Sequence, residues 1–299
     1  MIRGALLLGS VLALALIGSV DAAAPPTTQV PGVLTVGVNL PSEGFQVGAA
    51  KGSTVVFAQG LEIDLARALA AKLRLRRAVF VQSRFDQLLS PGPKRFDMAV
   101  AQITVTKARR RALDFTVPYM RADQGVLLAQ TLDKAPHTIA ALRPLRLCAL
   151  AHSTGAALVR ERIRPARPPR VIGNVPTLML SLQTGRCQAV VYDAPSLGTL
   201  KARIPPRCGA FAGVIRTREQ YGIALPKGSP LLRTVNAALK AAAGRGARPK
   251  PPAEMALSQP AAASRSEMTP PIVNPSERAR PRRPDGPGRA PPPPSASGR

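Results

Sequence analysis

Residues 33–240 predict an α/β fold made of two parallel-sheet units, and two observations carry that prediction. Apolar, β-rich runs alternate with segments of helical periodicity, and the alternation occurs twice. Where the apolar runs end, polar residues follow, at the strand ends where open α/β sheets gather their ligands.

The first unit opens with VLTVGVNL (33–40), a β-rich run ended by Pro41. GLEIDLARALAAKL (60–73) repeats leucine at 61, 65, 69 and 73, one apolar stripe on a helix. AVFVQ (78–82) and MAVAQI (98–103) are further strands, giving the β-α-β-α-β order of a sheet covered by helices. The second unit repeats the pattern. PLRLCALA (144–151) runs as a strand into HSTGAALVRERI, a helix opened by Ser153 or Thr154 as N-cap. TLMLSLQTG (177–185) is a helix stopped by Gly185, and QAVVYDAP (188–195) is a strand broken by Pro195. The polar strand ends are Gln102/Thr104, His152–Thr154 and Tyr192–Asp193.

Hydrophobic residues make up 45% of the chain, enough for a globular body, while the net charge of +26 raises the question of an anionic partner. The charge is spread along the chain: residues 245–299 hold ten Arg/Lys against four Asp/Glu. No compact basic block interleaves with aromatics, which are 3% of residues, so a stacking platform for nucleic acid is not expected. After about Gly244 the composition turns to Pro, Ala, Arg and Ser without periodicity, and 246–299 reads as a disordered tail.

The amino terminus has Arg3, an apolar run from Ala5 to about Val20, and Ala22, the layout of a secretory signal over 1–22. That run is short for a membrane span, and no cysteine follows it to carry a lipid. A periplasmic or extracellular location is the expectation. An oxidising compartment then makes one disulfide expected among Cys148, Cys187 and Cys208. A metal centre or a Ser/His/Asp triad would have to use His137 or His152, which turn or surface positions account for, so neither a metal nor a cofactor is expected.

Four segments in order resemble the family 3 extracellular solute-binding proteins of amino-acid ABC transporters. GLEIDLARALAAKL is similar to that family's G-F-D/E-V-D-L-A helix, and FDMAVAQITVTKARRRALDFTVPYM (96–120) to its segment with T-I-T-x-x-R and D-F-S-x-P-Y. CQAVVYDAPSL resembles its D-A-V-x-x-D strand, and YGIALPKGSPLLRTVNAAL its Y-G-I-A-x-P-K-G return. The resemblance implies a two-lobed periplasmic-binding-protein type II (Venus flytrap) fold. Lobe 1 would comprise 30–121 plus 222–245 and lobe 2 126–217, joined by crossing strands near Arg121–Val126 and Glu219–Ile223, with ligand in the interlobe cleft. Cys148, in the first strand of lobe 2, and Cys187, opening the strand that pairs near it, are then expected to be bridged, with Cys208 free.

By motif match, Arg109 takes the ligand's α-carboxylate, because a planar two-pronged donor suits that group better than lysine does. Thr104 and the backbone near Gln102 assist, and Arg110 and Arg111 face solvent. The amides at Ser153–Thr154 bind the same carboxylate, and Asp193 accepts the ammonium. SRFDQLLSPGPKRFD resembles a segment of acidic-amino-acid binders, which makes Arg84 a second anion contact and favours acidic or amide ligands. Phe45 and Phe57 are candidates to pack on the ligand's carbon chain or to enter the core. Gln102 and His152 stand where many members carry a small residue or glycine. The implied partners are a polar amino acid and an ABC permease, with the protein a monomer and not an enzyme. The alternatives are an enzyme on the same fold, of dehydratase or peptidoglycan-lytic type, and an exported polyanion binder.

Overall fold

The structure, a computed structural model, describes residues 25–130, 132, 136–203 and 209–244. The expected signal (1–22), Cys208 and the tail (246–299) lie outside the described residues. The described chain divides into two units: one runs to Arg121 and resumes at Glu219, and the other spans Ala122–Arg218.

The first unit holds β1 (Val33–Val38), β2 (Val47–Lys51), β3 (Thr54–Gln59), α1 (Leu61–Lys72), β4 (Arg77–Gln82), α2 (Phe85–Leu89), β5 (Met98–Ala99), α3 (Lys107–Ala112), β6 (Leu113–Phe115) and β7 (Met120–Arg121). The second holds β8 (Gln124–Leu128), β9 (Leu147–Leu150), α4 (Thr154–Leu158), β10 (Arg170–Ile172), α5 (Val175–Gln183), β11 (Ala189–Asp193), α6 (Ala194–Arg203) and β12 (Phe211–Ile215). The chain then returns to the first unit as β13 (Gln220–Tyr221), β14 (Ala224–Pro226) and α7 (Leu231–Gly244).

The first unit's sheet runs β2-β3-β4-β1-β5-β14-β6, with β1 parallel to β4 and β5. Every residue of β1 is buried, as a central strand between helical layers must be. The hairpin β2–β3 forms one edge; its alternation is broken by a bulge, and the sequence did not announce it. α1 buries Ile63, Ala66, Leu69 and Ala70, and Leu73 just past its end, so the second half of the leucine stripe faces inward; Leu61 and Leu65 are only half-buried, and Glu62 points inward. The second unit's sheet runs β10-β9-β11-β8-β12, with β9 and β11 parallel and β8 antiparallel to β11.

Several motif residues have purely architectural partners. Asp97 accepts the backbone N–H groups of Gln29 (2.8 Å) and Thr35 (2.7 Å), tying the entry of the chain to β1. Asp114 accepts Lys227 Nζ and the Gly228 N–H, both at 2.7 Å, so the D-F and P-K-G motifs are two halves of one contact. The hydrogen bond from Lys227 is the main cause that holds the Asp114 carboxyl below its ordinary range. Phe45 is fully buried with its ring against Tyr221, whereas Phe57 is 83% exposed on β3 with a positive φ of 53°. Phe57 therefore does not enter the core.

Cys148 and Cys187 are both buried and form a disulfide, with a Cα–Cα distance of 5.8 Å and a separation of 39 residues. The closed loop contains α4, β10 and α5. On the chain-entropy model a loop of that length stabilises the fold by at most about 4 kcal/mol. Non-reducing peptide mapping is expected to recover this pair. The Cys148→Ser/Cys187→Ser double variant is expected to unfold at lower urea than the oxidised protein. Equal midpoints would show that strand pairing alone secures this part of the sheet.

Candidate functional site

In the first unit the candidate residues follow β5. Gln102 is buried and left-handed, with φ 51°. That conformation costs a residue with a Cβ of order 1–3 kcal/mol and persists only when its surroundings hold it. Three contacts do so. The Gln102 backbone N–H donates to Glu62 Oε1 at 2.7 Å, and its side-chain amide lies 2.9 Å (Oε1) and 2.7 Å (Nε2) from Ser42 Oγ. His152 is the second unit's counterpart, at φ 59° in an exposed turn. Both departures from glycine thus occupy positions whose backbone suits glycine.

Thr104 is buried. Its hydroxyl donates to Glu219 Oε2 (3.1 Å), and its backbone bridges to Tyr221. Thr106 caps α3 by accepting the Arg109 N–H at 3.1 Å. The cap sets the direction of the helix, and with it the fate of the three consecutive arginines. Arg109 is half-buried, donates from Nη1 to the Thr104 carbonyl at 2.8 Å, and places its guanidinium 5.4 Å from the centre of the Phe85 ring. Arg110 and Arg111 are exposed; Arg110 lies over Phe115 at 5.8 Å. A carbonyl and an aromatic face together fix the direction of this guanidinium.

Two expectations need correction. Arg84 caps α2, and its guanidinium forks onto Asp86 at 3.1 and 2.9 Å, with 75% of the side chain exposed. An aspartate two residues away, at the start of the same helix, claims that cation locally. Phe45, packed edge-on against Tyr221 at 6.3 Å and wholly buried, is a core residue and not a surface for a ligand's carbon chain. Phe85, which the sequence did not single out, supplies the ring beside Arg109.

In the second unit, Asp193 ends β11 and is buried, accepting from Gln124 Nε2 at 2.6 Å. Gln124 Nε2 also lies 3.3 Å from Thr154 Oγ1, so one amide links the β11 aspartate to the first residue of α4. Ser153 is the cap of α4: its Oγ accepts the Ala156 N–H at 3.0 Å and donates to the Leu150 carbonyl at 2.6 Å. Gly155 leaves room for this amide: a Cβ there would fall 2.7 Å from Gln124 Oε1 and displace it. Gln124 escaped the sequence reading because only the antiparallel register of β8 and β11 brings it opposite Asp193. The structure thus gathers Gln102, Thr104 and Arg109 in one unit, and Ser153, Thr154 and Asp193 in the other.

The model of the bacterial extracellular solute-binding proteins, family 3, matches residues 34–248. The L-cystine-binding protein TcyJ of Escherichia coli (strain K12) is 24% identical over 181 residues, 60% of this chain and 67% of that protein. The lysine/arginine/ornithine-binding periplasmic protein of the same organism is 27% identical over 218 residues, 71% of this chain and 81% of that one. Among solved structures, an ancestral arginine-binding protein bound to arginine superposes with a TM-score of 0.64 at 26% identity, covering 73% of this chain and 96% of that one. The α/β units and the two crossings of the chain are those of the two-lobed type II periplasmic-binding-protein fold.

Gln124→Leu tests the second cluster. It removes a hydrogen bond to a buried carboxylate and is expected to cost roughly 2 kcal/mol in urea unfolding. A negligible loss would show that Asp193 does not depend on Gln124.

Proposed function

The chain belongs to the bacterial extracellular solute-binding proteins of family 3, and we propose that it captures a polar amino acid outside the cytoplasm and delivers it to an ABC permease. The observation that carries this reading is Arg109, singled out from three adjacent arginines by the Thr106 cap, the Thr104 carbonyl and the Phe85 ring. A guanidinium fixed this way is suited to the α-carboxylate of an amino acid, with Thr104 and the Gln102 turn beside it. Asp193, fixed by Gln124, would accept the α-ammonium, and the Ser153–Thr154 turn would add donors for the carboxylate.

The ligand's side chain is the finer part of the proposal. With Arg84 engaged by Asp86, the support for an acidic ligand weakens and the amide half of the expectation is carried forward. The side chain of Gln102 meets Ser42, and this neutral polar pair suits a carboxamide. The compared relatives are described as binding arginine, lysine, ornithine or cystine, so a basic ligand is the competing outcome. A binding role is preferred to catalysis because two of the first unit's candidate catalytic acids, Asp64 and Glu62, are engaged elsewhere. Asp64 pairs with Arg67 on the surface, and Glu62 is enclosed among hydrogen-bond donors. We further propose that the protein acts as a monomer, without a cofactor, after removal of residues 1–22.

A thermal-shift screen against the twenty amino acids tests both levels. Glutamine or asparagine is expected to give the largest rise, with roughly 2.7 kcal/mol of stabilisation at 100 times the dissociation constant. A larger rise with lysine or arginine would overturn the side-chain preference and leave the binding role standing; no rise with any amino acid would overturn the role. By calorimetry, Arg109→Ala is expected to lose about 2 kcal/mol or more of binding, while Arg110→Ala and Arg111→Ala bind as the parent does. Equal losses at all three would refute the assignment of Arg109.

A further inference from the structure

The acid with the most unusual environment lies beneath the candidate ligand residues. Glu62 is wholly buried on α1. Its Oε1 accepts the Gln102 backbone N–H at 2.7 Å and the Tyr119 hydroxyl, and its Oε2 accepts Gln46 Nε2 at 2.6 Å. Gln46 Nε2 also donates to the Val100 carbonyl, so the same amide links α1 to the residue that follows β5. Four segments distant in sequence thus converge on one carboxyl: the loop before β2, helix α1, the turn after β5, and the approach to β7.

Each partner has a consequence. Gln102 is left-handed, and the Glu62 bond is the anchor of its backbone. Two residues later comes Thr104, whose carbonyl receives Arg109. Tyr119 immediately precedes β7, donates its N–H to the Tyr221 carbonyl at 3.0 Å, and stacks at a tilt on the Tyr221 ring. Glu62 is therefore coupled to the turn that leads into the arginine helix and to the segment by which the chain leaves the unit.

We propose that Glu62 is a positioning residue of the ligand site: its buried carboxyl holds the left-handed turn at Gln102 and the side chain of Tyr119, and through them the Thr104–Arg109 stretch. The inference rests on the amino-acid-binding reading for what that stretch receives. Glu62 needs no contact with the ligand. Its neighbours are neutral, Gln46, Gln102 and the Val100 carbonyl, apart from the titratable hydroxyl of Tyr119. Burial, the largest influence, raises its pKa above the ordinary carboxylate value, and its hydrogen bonds pull the other way. The folded state thus binds this proton more tightly than the unfolded chain does. The stability it contributes is full below the unfolded value of 4.5 and is lost as pH rises through the elevated folded value.

The test uses the full chain, with L-glutamine and L-arginine as probes. Glu62→Gln removes the titration and places a donor where an acceptor is needed. It is expected to weaken the better-bound probe at least tenfold, to speed amide exchange over residues 100–106 in the ligand-free protein, and to flatten the fall of Tm with rising pH. The discriminating variant is Gln102→Gly, which adopts the left-handed turn without support. If Glu62 acts through the turn, the Glu62→Gln/Gln102→Gly pair loses less affinity than the sum of its single variants. Additive losses, or wild-type affinity in a folded Glu62→Gln protein, would overturn the proposal. Should Glu62→Gln fail to fold, Tyr119→Phe removes one partner alone and is expected to give a smaller loss of affinity; no loss would count against the Tyr119 arm. If neither probe binds the parent, the amino-acid reading fails for these ligands, and amide exchange alone decides whether Glu62 holds the turn: faster exchange over 100–106 supports it and unchanged exchange refutes it.

Discussion

The chain leaves its first unit and re-enters it through two short strands, and their pairing around Tyr221 is the constraint on which the rest of that unit depends. Tyr221 is fully buried. Its backbone pairs with Met120 on β7, bridges to Thr104 and accepts the Tyr119 N–H, while its ring meets Phe45 and Tyr119. One residue thereby fixes the position of the exit strand, the return strand and the carboxyl end of β5. A polar segment such as 102–109 can keep a strained turn and a directed arginine because this packing supports it from below. On the second unit's side, Asp123 serves the same chain passage by accepting the N–H groups of Thr217 (2.9 Å) and Arg218 (2.7 Å).

The two units solve the placement of polar groups in different ways. In the first, a buried carboxyl gathers neutral donors, and the guanidinium of Arg109 is directed by the Thr104 carbonyl and the Phe85 ring. In the second, the buried charge is Asp193 itself, held by the amide of Gln124, which also reaches Thr154. Hydrogen bonds to a buried carboxylate offset part of the cost of burying it. The second unit's frame is reinforced covalently, since the Cys148–Cys187 bridge joins β9 to the start of β11 and closes a loop around α4. The net charge of +26 enters none of these contacts, which engage a few ionic groups chosen by position.

Much was legible in the sequence, because much of it is local. Strand and helix periodicity depends on neighbours within a few residues, so the alternation, the cap at Ser153 and the stop at Gly185 are carried by composition and spacing alone. The motif segments carried the fold class and the family, and strand order was enough to expect the bridge between Cys148 and Cys187. The hairpin β2–β3 was missed because its bulge interrupts the alternation by which a strand is recognised.

What only the tertiary structure decided concerns direction and partnership across long sequence distances. Spacing marks Leu61, Leu65, Leu69 and Leu73 as the inner stripe; the last two are buried, but at the start of α1 the buried face is that of Ile63 and Ala66, which draws Glu62 inside. Arg84 was a plausible anion contact until Asp86 was seen to hold it, and Phe45 and Phe57 are of one residue type with opposite fates. Gln124 became visible only through a register that sets it opposite Asp193, 69 residues away. The sequence determined which elements form and which polar residues follow the strand ends, since both follow from local pattern. The tertiary structure determined which copy of each type faces where, since side-chain direction is set by non-local packing and by the cost of burying a polar group without a partner.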